Sequence, residues 1–196
     1  MGDIIQLEGL RPFHNRNQFL LSKRKVEVEM PLHLEDLDIM QEVAGLNSVL
    51  IVPCNMCAAA TVAMNENKPF LRLFRNFLKS VPFDQYIKKL QSRLRAKGVQ
   101  STLFKCTLPH QWFLCMSTQG RKRKLAEQVN KYEAVIVLGC DSAAETVRDA
   151  AESTNCKVIP GMKIGGIANA TLQFSLPGTI SFQDSKIVSL SQEKTR

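Results

Sequence analysis

The chain has 196 residues, 44% hydrophobic and 22% charged, which is room for one domain or one domain with a small appendage, and enough apolar mass to bury a core without staples. No stretch approaches the roughly 20 continuous apolar residues of a membrane span, no heptad or internal repeat is present, and residues 1–30 carry Asp3, Glu8, Glu27 and Glu29 without a signal-peptide h-region. Membrane-spanning, coiled-coil, collagen and disordered classes are thereby excluded and a cytoplasmic location is expected, while a formal net charge of +8 admits acidic proteins and nucleic acid as partners.

Along residues 1–34 the pattern is weak. Lys25 to Met30 alternates polar with Val26, Val28 and Met30, a half-exposed strand that Pro31 ends. Glu35 to Ala44, with Leu37, Ile39, Met40 and Val43, predicts a short amphipathic helix capped by Gly45. Ser48 to Val52 is a β-branched apolar run of the kind buried on both faces; Pro53 closes it and Cys54 follows. Asn55 to Met64 is Ala-rich and helical. Phe70 to Lys79 predicts a second helix, with Phe70, Phe74 and Phe77 as an apolar stripe flanked by Arg72 and Arg75. That stripe serves either a partner or the chain's own core. Pro82 opens a further helix that runs through Asp84 to Ala96 and stops at Gly98.

Val99 to Lys105 is the next strand and ends at Cys106. Residues 107–120, with Pro109, His110, Trp112 and Cys115, read as an irregular connection, and Arg121 to Lys131 as a basic helix. Ala134 to Leu138 is the clearest strand and delivers Gly139-Cys140. Ser142 is placed to N-cap a helix reaching Glu152. Lys157 to Ile159 is a short strand ended by Pro160-Gly161. Thr179 to Phe182 and Lys186 to Leu190 flank Gln183-Asp184-Ser185 as a terminal β-hairpin.

Strands alternating with helices imply right-handed crossovers and a parallel sheet. The expected fold is α/β, a three-layer Rossmann-like or flavodoxin-like core over residues 46–175, with an N-terminal segment 1–45 and a hairpin and tail over 176–196. Gly-x-Gly-x-x-Gly is absent, and Gly161 to Gly166 is neither that fingerprint nor a P-loop.

Six cysteines are the unusual feature, and outside the secretory route they point to metal or redox chemistry before disulfides. Cys54, Cys106 and Cys140 each follow a predicted strand. In a parallel sheet those ends share the edge where α/β folds place their sites. Cys57 lies one helical turn beyond Cys54 and faces the same spot. Four converging thiolates suit tetrahedral zinc or a 4Fe-4S cluster. Two competing readings are that Cys106 and Cys140 are buried core thiols, and that Cys54-x-x-Cys57 is a thioredoxin-like pair with Pro160 in the cis-proline role. Cys156 precedes its strand, belongs at the opposite edge, and is read as structural. Cys115 is a possible substitute ligand or a fifth thiol. His110 is either surface or a ligand, Trp112 and Phe113 are expected to cover the site, and Asp141 either tunes it or simply opens its helix.

Three runs carry a family resemblance. Val49 to Cys57 with its Cys-x-x-Cys, Leu103-Phe104-Lys105-Cys106, and Val135 to Cys140, followed by Ile159-Pro160-Gly161 and Asn169 to Leu172, resemble the C-terminal-type domain of methylenetetrahydrofolate reductases. That domain also occurs as the small cysteine-rich subunit beside the flavin-containing reductase. This chain departs from the family pattern in Gly139-Cys140-Asp141, where Ala-Cys-Gly is usual, and in the stretch Asn65 to Phe83. The resemblance covers about residues 46–175. It implies that Cys54, Cys57, Cys106 and Cys140 bind an iron-sulfur cluster or zinc. It also implies an accessory, non-catalytic role in an oxidoreductase complex, passing electrons to or scaffolding a flavoprotein partner in one-carbon metabolism. The alternatives are a structural zinc-binding assembly protein and, ranked last, a nucleic-acid module using Arg121 to Lys124, a run that opens an ordinary crossover helix.

Overall fold

The computed structural model describes residues 25–72, 80–105, 113–175 and 178–190, with the backbone alone for 25–31. In chain order the elements are β1 (Lys25–Asp36), β2 (Ser48–Pro53), α1 (Cys57–Asn65), β3 (Leu71–Arg72), α2 (Val81–Ala96), β4 (Gln100–Leu103), α3 (Gln119–Val129), β5 (Ala134–Leu138), α4 (Asp141–Ala151), β6 (Lys157–Pro160), β7 (Met162–Ser175) and β8 (Thr179–Ser189).

The expected α/β core is present. Strands β4-β2-β5-β6 form a parallel sheet in that order. β2 and β5 occupy its centre because their side chains are apolar on both faces: Val49 to Val52 and Ala134 to Leu138 are all buried. The chain runs from β2 out to β4, then returns past β2 to β5 and on to β6. This reversal puts a topological switch point at the carboxyl ends of β2 and β5. Right-handed crossovers send α1 and α2 to one face and α3 and α4 to the other. Accordingly α1 packs on α2, and α3 on α4.

A second, antiparallel sheet of order β1-β7-β8-β3 lies against α1 through β1 and β8. Helix α1 is therefore covered all round, and every residue from Ala58 to Met64 is buried. Its run of alanines lets the layers approach. Thr61, its one buried polar residue, accepts the Leu34 amide of β1 through Oγ1 at 3.1 Å. The chain crosses between sheets at Gly161. There the amide donates to the Val137 carbonyl at 2.8 Å, and a Cβ would stand 2.9 Å from Leu138 Cδ2 and 3.2 Å from that carbonyl.

Five expectations are corrected. The first strand does not stop at Pro31. It continues to Asp36 along β7, with register shifts between Met30 and Leu34 taking up the proline. The helix over Glu35 to Ala44 is absent: Glu35 and Asp36 belong to β1, and residues 40–45 are turns. Ile39 and Val43 are buried nonetheless, so the apolar spacing reported burial and not helix. The helix expected from Phe70 begins instead as strand. The Phe70 amide donates to the Ile180 carbonyl at 2.8 Å, β3 pairs with β8, and the Phe70 ring lies 5.1 Å from that of Phe182. Phe74, Arg75, Phe77 and Lys79 lie outside the described residues, as do residues 1–24. Cys140, not Ser142, is the N-cap of α4. The terminal hairpin is present, but its arms are β7 and β8. The two segments expected to pair with each other are the single strand β8, and the turn is at Gly178, whose φ of +106° suits glycine.

Candidate thiol site

At the switch point the backbone brings cysteines together. The Cys54 amide donates to the Leu138 carbonyl at 2.8 Å, tying the end of β2 to the end of β5. Gly139 permits this closeness, because a Cβ there would stand 2.8 Å from Ala143 Cβ and 3.1 Å from Cys54 Cβ. Cys140 then caps α4, its carbonyl accepting the amides of Ala143 at 2.9 Å and Ala144 at 3.0 Å. No side-chain hydrogen bond caps that helix, so the Cys140 thiol is not committed to capping. Cys57 is the first residue of α1. Two helix N-termini thus open onto the edge that bears Cys54, Cys57 and Cys140, which favours negative charge there.

Cys54 and Cys140 are 2% and 3% exposed, Cys57 is half-buried, and Cys115 is exposed. Burial pushes the Cys54 thiol up. The backbone amides of Leu114 and Met56, bonding to its sulfur, pull it down, and the charges of Cys115 and then Cys140 push it up again. Cys57 is pushed up from 9.0 to about 12, by burial first and then by Cys54, Cys140 and Cys115. These two thiols are therefore protonated at neutral pH, and their thiolates require a compensating cation.

No family model, curated protein or solved structure matches the chain. The chemistry of the site thus rests on the residues themselves. The donor set is soft, buried and thiol-rich, and two amides already point at one of its sulfurs, a set that suits thiophilic metals. Among the described residues no three His, Cys, Asp or Glu side chains are gathered closely enough to hold a metal ion. Cys106, His110 and Trp112 lie outside the described residues. The chain leaves β4 beside β2, with the Phe104 amide donating to the Ile51 carbonyl at 2.8 Å. Cys156 precedes β6, at the opposite edge, as its sequence position implied. Phe113 is 41% exposed, which is not the burial expected of a cover.

Cys115 arrives by a connection that the sequence left irregular. Arg121, the first residue of the basic run, is buried and donates through Nη1 to the Phe113 carbonyl at 2.6 Å. Ser117 Oγ donates to the Leu114 carbonyl at 2.9 Å, and Leu114 is wholly buried. Thr118 Oγ1 accepts the Arg121 amide at 3.4 Å and caps α3. The signal available beforehand was Thr118 three residues ahead of Arg121, a capping spacing that fixes where the loop must end. Elsewhere in that run Lys122 pairs with Asp149 at 3.0 Å and Arg123 with Glu127 at 3.8 Å. Among the described residues no helix is long and apolar enough to cross a membrane.

Proposed function

We propose that this chain is an accessory subunit whose cysteine-lined sheet edge holds a 4Fe-4S cluster and passes electrons to, or scaffolds, a flavin-containing partner of the methylenetetrahydrofolate reductase type. The observation that carries the reading is the delivery of Cys54 and Cys140 by adjacent strands to one switch point, with Cys57 beside them. Cys106 is the fourth ligand implied by the resemblance. The fit is chemical. The donors are thiols, burial keeps water away, and the Leu114 and Met56 amides at the Cys54 sulfur are the hydrogen bonds that tune a thiolate-bound cluster.

When bound, such a cluster supplies one-electron transfer. The chain's own contribution is to hold the ligands, give up the Cys54 and Cys57 protons to the metal, and limit solvent access. The flavoprotein partner and the one-carbon setting rest on the family resemblance alone.

The test is anaerobic purification followed by assay of iron, sulfide and zinc with the visible and electron-paramagnetic spectra. About four iron and four sulfide per chain, with a paramagnetic signal on reduction, support the reading. About one zinc and no colour would replace it with a structural assembly role. Metal-free protein with reactive thiols would end it.

A further inference from the structure

We infer that the outward face of α2, with the adjoining start of β4, is a docking surface for the phosphate backbone of a nucleic acid. This goes beyond the proposed metal centre and does not depend on it.

Helix α2 buries Phe83, Ile87, Leu90 and Leu94 and leaves Lys88, Lys89, Arg93 and Arg95 exposed, with Lys97 at its C-cap. Against these five cations residues 81–97 hold one carboxylate, Asp84, so the stretch carries +4 of the chain's net +8. With 3.6 residues per turn, Lys88 and Arg95 share one flank, and Lys89, Arg93 and Lys97 follow the other at every fourth residue. Ser92 and Ala96, both exposed, lie between the flanks. Two cationic rows thus border a shallow channel floored by small side chains. At the C-terminal end of the helix an open recess of about 450 Å³ is lined by Arg95, Gly98, Val99, Gln100 and Ser101. Gln100 and Ser101 open β4, the edge strand of the parallel sheet, and add hydrogen-bonding groups there.

Nothing among the described residues neutralises this face. The ion pairs lie elsewhere, and the Asp36 carboxylate beside the helix accepts the Tyr86 hydroxyl at 2.9 Å and pairs with none of the five cations. The run Arg121 to Lys124, the basic stretch that the sequence offers first, is instead committed within the fold. Arg121 is buried on the Phe113 carbonyl, Lys122 pairs with Asp149 and Arg123 with Glu127. The dipole of α2 favours cations in its last turn, which accounts for Arg93, Arg95 and Lys97. It does not reach Lys88 and Lys89, and Lys89 beside Arg93 is a like-charge pair that costs the helix a few tenths of a kcal/mol. An anionic partner removes that cost.

The character of the face selects the partner. Protein interfaces have apolar, aromatic centres depleted in lysine, and no exposed large hydrophobic side chain of the described residues lies on α2 or β4. A helix lying on a membrane buries its apolar side in the lipid, and that side of α2 is spent on its own core. Nucleic-acid interfaces are polar and strongly positive, as this face is.

The experiment measures anisotropy of a labelled random duplex DNA and a labelled single-stranded RNA with the full chain, from about 50 to 200 mM salt. The variants are the triple Lys88→Gln, Lys89→Gln, Arg95→Gln and, as a control of equal charge change, the triple Lys122→Gln, Arg123→Gln, Lys124→Gln. Thermal melts check that both are folded. With five phosphate contacts, wild-type binding to the duplex should weaken about 500-fold over this range, a log-log slope of about −4.5. The α2 variant should fall to a slope of about −1.8, and the control should stay near wild type. Absence of binding to both probes, or equal losses in the two folded variants, would overturn the inference. Tighter binding of phosphatidylserine vesicles or of polyglutamate at the same salt would overturn it as well, and would reassign the face to a membrane or an acidic protein.

Discussion

The side chain of Glu133 grips Asn47 twice: Oε2 accepts the Asn47 amide at 2.8 Å and Oε1 accepts its Nδ2 at 2.9 Å. These residues lie 86 positions apart, each just ahead of a central strand, and the pair sets β2 and β5 level at the amino edge. The Cys54 amide bonded to Leu138 closes the same two strands at the carboxyl edge. With both ends fixed, the strands deliver Cys54 and Cys140 at matched heights.

The Glu133 grip predicts a pH dependence. The Asn47 hydrogen bonds hold the Glu133 carboxyl below its ordinary value. A depressed acid adds stability above its unfolded pKa and loses it as pH falls through the folded one. The chain should therefore weaken below about pH 4.5, the ordinary value. In Glu133→Gln this part of the pH dependence should be missing in urea unfolding followed across that range. An unchanged pH profile in the variant would count against the grip.

Gly139 should tolerate nothing larger. Gly139→Ala puts a methyl against Ala143 and Cys54, an overpacking that costs about 1–3 kcal/mol and spreads the thiol site. Gly120, on α3, has open space around it, with nothing within 4 Å of where a methyl would stand. Gly120→Ala should be neutral or stabilising by about 0.4–1 kcal/mol. Denaturant midpoints of the two variants, read side by side, check the contrast.

Arg121 should matter through the loop it holds. Arg121→Ala removes a charged hydrogen bond to the Phe113 carbonyl, worth about 1.5–3 kcal/mol. The loop 113–118 then becomes the first site of limited proteolysis. Arg121→Lys restores the charge but not the planar fork and should rescue only part of the loss. Equal cleavage of wild type and Arg121→Ala would show that the loop is held by something else.

Thiol reactivity in the metal-free chain should be ordered. Cys115 is exposed, whereas Cys57 is half-buried and pushed up to about 12. Since the thiolate is the nucleophile, iodoacetamide at neutral pH should modify Cys115 well before Cys57, and Cys57 should gain reactivity only as pH rises toward its own value. Peptide mass spectra at several times check the order. Equal rates at both residues would contradict the burial of Cys57.

Much of this was legible in the sequence where the physics is local. The apolar runs at Val49 to Val52 and Ala134 to Leu138 could only be central strands, Pro82 and Gly98 bracket α2, and the strand-end placement of Cys54 and Cys140 follows from parallel topology alone. What pairs across long separations was decided by the tertiary structure. Glu35 to Ala44 has helical spacing, yet β7, more than 120 residues later, draws Glu35 and Asp36 into a strand. Lys186 to Leu190 looks like half of a local hairpin, yet β7 offers a longer partner and β8 takes it whole. Cys115 is the same lesson at the site. Its sequence neighbours show only an irregular loop, and the path of that loop depends on a buried Arg121 bonded to the Phe113 carbonyl and on a buried Leu114. Local propensity is a matter of tenths of a kcal/mol per residue, and burial against a distant partner outweighs it.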